Sequence, residues 1–215
     1  MENAIEFIFQ ILILIFSVVM HEISHGYAAL ALGDETAKRE GRLTLNPLRH
    51  LDPFGSIILP SVSYLLGGFI FGWAKPVPYN PYNLKNQKWG PALVGIAGPC
   101  ANMLLGVLFG FLLRIVPMLT LYGAPGAFVY NLSVIISMIA FLNIVLALFN
   151  LVPVPPLDGS KILFALLPYQ WRNAQNFLEQ YGFILLLMFV FFLSGLLLHP
   201  AFFIFRLVSG SAPLF

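Results

Sequence analysis

Charge is the scarcest feature of this chain: Asp, Glu, Lys and Arg make up 9% of its 215 residues. Soluble domains carry roughly 25% charged residues, so this surface cannot be covered with charge, which points to lipid as the solvent. No long basic run occurs and the net charge is only +2, which removes the electrostatic case for nucleic acid as a partner. Cysteine occurs once, at Cys100, so an intramolecular disulfide and a cysteine-based metal site are both excluded. The thiol reads as a small buried apolar residue. The N-terminal stretch MENAIEFIFQ lacks Lys and Arg, unlike the basic start of a secretory signal, and reads as the beginning of a retained membrane helix. Internal repeats are missing too, as is any stretch long enough for a separate soluble domain.

What is abundant is apolar sequence, with 59% hydrophobic residues and a mean hydropathy of +0.87. Crossing a bilayer core of about 30 Å takes roughly 20 apolar residues. Four segments qualify, at about 5–31, 91–114, 129–152 and 180–199. A shorter one, 56–73, contains Pro60 and Gly67-Gly68, and either spans or enters and returns. Cytoplasmic loops carry an excess of Lys and Arg, and this rule arbitrates. If 56–73 spans, the eleven basic residues divide almost evenly between the two sides; if it returns, all but Arg114 and Arg206 share one side. The re-entrant arrangement is favoured, with the N-terminus outside and 33–90 cytoplasmic. The fold expected is an all-α polytopic membrane protein. It has about 4–6 transmembrane helices and a short re-entrant or β-hairpin-like region after the first.

Within the first segment, Phe7 to Gly33 holds only three acidic or basic side chains: His21, Glu22 and His25. Burying them in an apolar helix costs several kcal/mol unless they are paired or ligated, and such residues in membrane helices are usually functional. His21-Glu22-Ile23-Ser24-His25 matches H-E-x-x-H. On a helix, i and i+4 share a face, so both imidazoles reach one metal ion while Glu22, one residue over, takes a proton from its bound water. The bland alternative, two helix-packing histidines bonded to other polar groups, is disfavoured by the lipid setting.

A catalytic zinc takes three protein ligands and leaves one position open. The loop after the helix offers Asp34, Glu35, Glu40, His50 and Asp52 as third ligand. A membrane-depth alternative is Asp158 in NLVPVPPLDG, residues 150–159, where three prolines forbid regular helix and Gly159 permits a tight turn. Without the histidine pair, Asp158 would read equally well as a helix cap. The glycines of 91–114 (Gly95, Gly98, Gly106, Gly110) are accounted for by close helix packing. Asn102 in the same helix either bonds a neighbour or faces a wet cavity.

HEISH followed by NLVPVPPLDG resembles the site-2 protease family of intramembrane zinc metalloproteases, peptidase family M50. AGPCAN at 97–102 is similar to that family's G-P-x-x-N element, and NPLRHLDPFGSIILP with GWAKPVP looks like a compact prokaryotic form without PDZ or CBS domain. The resemblance implies one zinc ion per chain held by His21, His25 and Asp158, with Glu22 activating water. It also implies Asn150 beside the metal, holding substrate or polarising the scissile carbonyl, and a similar polar role for Asn102. The implied setting is a multi-pass protein of the plasma membrane. Its substrates are transmembrane segments of other membrane proteins, and homo-oligomerisation is left open. Rival classes are a metal or small-solute transporter using the same cluster, and a catalytically inactive scaffold.

Of the remaining residues, His50 reads as a solvated loop histidine, with a supporting role at the cytoplasmic mouth as the alternative. His199 reads as a helix-end residue, and Trp73, Trp89 and Trp171 as interfacial anchors. The Phe-rich stretch 189–205 reads as lipid-facing bulk, and the basic residues of 38–49 as topology determinants able to attract anionic lipid. The extended, Pro/Asn-rich stretches 33–60 and 74–83 are candidate edges for pairing with an unwound substrate.

Overall fold

Backbone amides in hydrocarbon must be satisfied within the chain, which leaves helices as the available form for these apolar segments. The structure, a computed structural model, describes residues 2–52, 54–58, 62, 75–193 and 195–214, and among them there is no strand. The long helices are α1 (Glu2–Ala31), α3 (Gly90–Ile115), α4 (Gly126–Asn150) and α6 (Arg172–Met188); the short ones are α2 (Thr36–Arg39), α5 (Gly159–Leu166) and α7 (Gly195–Ser209). Among the described residues, four stretches are long and apolar enough to cross a membrane: Phe9–Ala31, Gly90–Tyr122, Gly126–Asn150 and Tyr169–Leu193.

Helix α3 is the hub, packing against α1, α4, α5 and α7. Its glycines set the distances. A Cβ at Gly106 would lie 2.6 Å from Ile144 Cγ1 and 3.1 Å from the Ala140 carbonyl of α4, so only a bare Cα allows this approach. Around that contact Ala140, Ile144, Ala201 and Phe205, all fully buried, form the main core. Helix α6 is largely exposed and rests on the 151–158 loop where Gly182 meets Pro155.

Three expectations are revised. The fourth apolar segment starts before 180: α6 begins at Arg172, a π-helical turn covers Phe189–Leu193, and the described stretch long and apolar enough to cross is Tyr169–Leu193. The Phe-rich stretch is not all lipid-facing bulk, because Phe205 has no exposed surface and sits in the core beside Phe141. Cys100 is exposed rather than buried.

The expected re-entrant or β-hairpin-like segment 56–73 lies outside the described residues, apart from 56–58 and 62, as does Trp73. Its flanks meet: Lys75 N–H donates to the His50 carbonyl at 2.8 Å. Arg42, only 6% exposed, fastens the same flanks, its guanidinium donating to the carbonyls of Arg49, Lys75 and Pro76. Residues 33–52 are not the extended edge anticipated, since they form α2 and a 3-10 turn at Pro47–Arg49, whereas Lys75–Asn80 is neither helix nor strand and ends in extended backbone at Asn80. The Lys85 N–H bonds the Leu32 carbonyl at 2.9 Å, which fixes the described flanks of this loop region at the end where α1 stops and α3 starts. At the opposite end Arg114 donates to the Leu207 carbonyl.

Asp34 is the staple of that loop region. Fully buried, it accepts from the Thr36 hydroxyl (2.6 Å), the Asn80 N–H (2.8 Å) and the Asn83 amide (2.9 Å). Burial alone would raise its pKa from the ordinary 3.8, but the donors from Thr36, Asn83 and Asn80 outweigh burial and lower it. A depressed folded-state pKa contributes stability that is complete above the unfolded value and is lost as pH falls through the folded one. Asp34→Ala removes the shared acceptor of three part-buried donors; a fully buried stranded donor costs about 1–3 kcal/mol, and water can reach these and reduce the cost. The variant is expected to unfold at lower temperature than wild type at pH 7, with the gap narrowing in acid; equal melting at both would refute the staple.

Candidate metal centre

His21 and His25 lie on the face of α1 that meets α3, each under 10% exposed. Each imidazole is tethered through Nδ1, His25 to the Val94 carbonyl at 2.7 Å and His21 to Asn102 Oδ1 at 2.8 Å. The tautomers follow from the partners. A carbonyl only accepts, so His25 Nδ1 carries hydrogen. Asn143 Nδ2 donates to the Ile139 carbonyl (2.8 Å) and Ser17 Oγ (2.9 Å), which turns its Oδ1 toward Asn102 Nδ2 at 3.0 Å. Asn102 Oδ1 therefore faces His21, whose Nδ1 is the donor. Ser17, Asn102 and Asn143 have no exposed surface. They form a buried relay joining α1, α3 and α4 behind the histidines.

Asp158 reaches the same point from the far side. After α4 the chain turns through Leu151–Leu157, closed by Val152 N–H to Phe149 O (3.1 Å) and Leu157 N–H to Val154 O (2.9 Å). Gly159 is obligatory, because a Cβ there would lie 2.2 Å from the Leu151 carbonyl oxygen. Asp158 occupies the N-cap position of α5, yet its side chain makes no capping bond. Instead Oδ2 lies 3.0 Å from both His21 Nε2 and His25 Nε2, and Oδ1 accepts from Lys161 Nζ at 2.8 Å.

The two Nε2 atoms are themselves 3.0 Å apart, so three lone-pair atoms close a triangle. With both Nδ1 atoms protonated, one shared proton bridges one edge of that triangle and not all three. A cation satisfies all three at once. Ligand atoms of a tetrahedral zinc, bonded at 2.0–2.2 Å, sit about 3.3 Å apart, and two imidazoles with a carboxylate are a zinc donor set. The residues fit the ion. Among the described residues this trio is the one group of His, Cys, Asp and Glu arranged to hold a metal.

The other sequence candidates stand apart from the triangle. Glu22 is half-buried beside it, with Oε2 accepting the Val77 N–H at 2.8 Å. Asn150 donates to the Leu146 carbonyl of its own helix at 3.0 Å. His50, 1% exposed, bonds the Thr44 carbonyl at 2.9 Å and is a buried loop clasp rather than a solvated residue. Glu35 pairs with Arg39, Glu40 is exposed and Asp52 Oδ1 accepts from Phe54 and Gly55 N–H, so none of the loop candidates supplies the third donor. Gly98 was accounted for by helix packing alone, but a Cβ there would lie 2.6 Å from both Nε2 atoms. Its position four residues before Asn102, hence on the same face, is the signal that could have exposed this role. Asn143, Ser17 and Lys161 carried no comparable signal.

Fold and site together define a polytopic α-helical membrane protein built around a three-donor metal centre. Residues 114–193, which include Asp158, match the model for Peptidase family M50. Two similar proteins carry the name "Putative zinc metalloprotease". YwhC of Bacillus subtilis is 43% identical over 89% of this chain and 84% of its own length, and Rip2 of Mycolicibacterium smegmatis is 31% identical over 79% and 61%. "Zinc metalloprotease MJ0392" of Methanocaldococcus jannaschii is 28% identical over 78% of this chain and 37% of its own. The chain thus spans less than two thirds of the latter two. No solved structure matches it. The chain belongs to peptidase family M50, the site-2 protease family.

Proposed function

We propose that this protein is an intramembrane zinc metalloendopeptidase that hydrolyses peptide bonds in or near transmembrane segments of other membrane proteins. The carrying observation is the triangle of His21, His25 and Asp158 donors inside a membrane-spanning bundle, with Glu22 one residue from a ligand. Zinc held there would lower the pKa of its water to about 7 and polarise the scissile carbonyl. The chain does the rest. Asn102 and the Val94 carbonyl aim the imidazoles, the Val77 N–H holds one oxygen of Glu22, and Glu22 takes the attacking water's proton and returns it to the leaving amine.

A helical substrate hides its carbonyls in its own hydrogen bonds, so the segment must unwind before attack. The irregular Lys75–Asn80 segment, whose Val77 N–H bonds Glu22, supports a role in receiving such a strand by backbone pairing. The buried amides Asn102 and Asn143, with Ser17, bond one another and His21 rather than lining a path, which favours catalysis over transport. The basic residues gathered at the loop end support a cytoplasmic placement of that end in a prokaryotic plasma membrane.

The test is metal analysis with a cleavage assay on the purified full chain against membrane-embedded substrates. Wild type is expected to hold one zinc and to cleave. Asp158→Ala is expected to weaken zinc by more than the 10- to 100-fold typical of losing an outer partner. Full zinc affinity in Asp158→Ala, or a wild type that neither binds zinc nor cleaves, would overturn the reading.

A further inference from the structure

Lys161 stands one turn beyond Asp158, and neither the resemblance nor the proposed mechanism uses it. Its ammonium lies 2.8 Å from Asp158 Oδ1 on one side and 5.6 Å from the centre of the Tyr79 ring on the other. The stem runs through a slot in α3 left by buried Gly95, where a Cβ would come within 3.0 Å of Lys161 Cδ and 3.2 Å of the Asp158 carbonyl. The side chain is 29% exposed but its partner carboxylate only 9%, so this ion pair is better shielded than a surface one, whose median worth is near zero.

We propose that Lys161 is a positioning residue that makes Asp158 a one-oxygen metal ligand. The inference rests on the metal-centre reading above. The two carboxylate oxygens have divided duties: Oδ2 faces both imidazole Nε2 atoms at 3.0 Å, while Oδ1 is occupied by the ammonium. A carboxylate without such a restraint binds cations through one oxygen or both. Chelation through both would add a donor beside the position a catalytic zinc leaves open for water and substrate, crowding that position and raising the coordination number from four to five. Tyr79 and Gly95 keep the ammonium in place, so the restraint is built from three separate elements: the 75–80 segment, α3 and α5.

A structural ion pair would look the same in a stability assay, so the decisive readout is the metal's coordination. Cobalt(II) exchanged into the purified full-length protein reports coordination number through its visible absorption, which is intense when four-coordinate and weak when five-coordinate. Wild type is expected to give the intense spectrum, and Lys161→Met a several-fold weaker one with zinc held about 10- to 100-fold less tightly in chelator competition. Lys161→Arg, which restores a cationic donor, is expected to recover the wild-type spectrum. An unchanged spectrum and affinity in Lys161→Met would overturn the proposal while leaving the metal centre intact. A wild type that binds neither zinc nor cobalt would overturn both. Should Lys161→Met fail to accumulate, Gly95→Ala pushes the same stem aside and is expected to weaken the spectrum likewise; a wild-type spectrum there would also sink the idea.

Discussion

Gly98→Ala is expected to abolish zinc binding while leaving the helices folded. The added methyl would lie 2.6 Å from His21 Nε2, His25 Nε2 and His25 Cε1, well inside van der Waals contact. The imidazoles have no easy retreat. Each is anchored from behind, by Asn102 and by the Val94 carbonyl, and the Asn102–Asn143–Ser17 relay is fully buried. Relief requires breaking these bonds at about 1–3 kcal/mol for each stranded buried group or expelling the metal. A methyl group also occupies the space on the α3 side of the donor atoms. The comparison is Gly126→Ala, where an added Cβ meets nothing within 4 Å and zinc content is expected to stay at the wild-type level. Equal zinc affinity in Gly98→Ala and wild type, with helix content matched by circular dichroism, would show that the close approach at Gly98 does not matter.

Glu22→Gln should separate binding from chemistry. Glu22 lies outside the donor triangle, and its interaction with the Val77 N–H needs only an acceptor oxygen, which glutamine retains. Zinc content and melting temperature are therefore expected to match wild type. Loss of a general base typically costs 10²–10⁴-fold in rate, so cleavage of a transmembrane substrate is expected to fall into that range or below detection. Normal proteolysis would remove Glu22 from the mechanism, and loss of zinc would recast it as a ligand.

How much of this could be read in advance depends on the range over which each signal acts. His21 and His25 were legible because i,i+4 spacing is a local property of one helix. Asp158 was one of several candidates until three dimensions placed its carboxylate against them, across |i−j| of 137. Asn102 was noticed as a polar outlier, but its partners Asn143 and Ser17 are isolated polar residues in other helices, and nothing local says that they meet. Asn150 bonds its own helix, an outcome always open to a polar side chain one turn after a free carbonyl. The misreading of Phe205 has another origin. Lipid tails are as apolar as a protein core, so hydrophobicity separates membrane from water but not the outside of the bundle from its inside. Small residues carry that second distinction, and Gly98, Gly106 and Gly182 mark contacts whose partners only the fold reveals.

The single hydrogen bond between the His50 carbonyl and the Lys75 N–H has a consequence for how this chain can vary. That bond joins the chain on the two sides of residues 51–74, which closes a loop in the polymer sense. The entropy of closing such a loop grows only logarithmically, about 0.6 kcal/mol for each doubling of a flexible length. Arg42 ties together carbonyls on both sides of the junction and so reinforces that closure. Changes in the length of chain between the two joined points therefore carry only a small entropic cost, while the junction at His50 and Lys75 stays as it is.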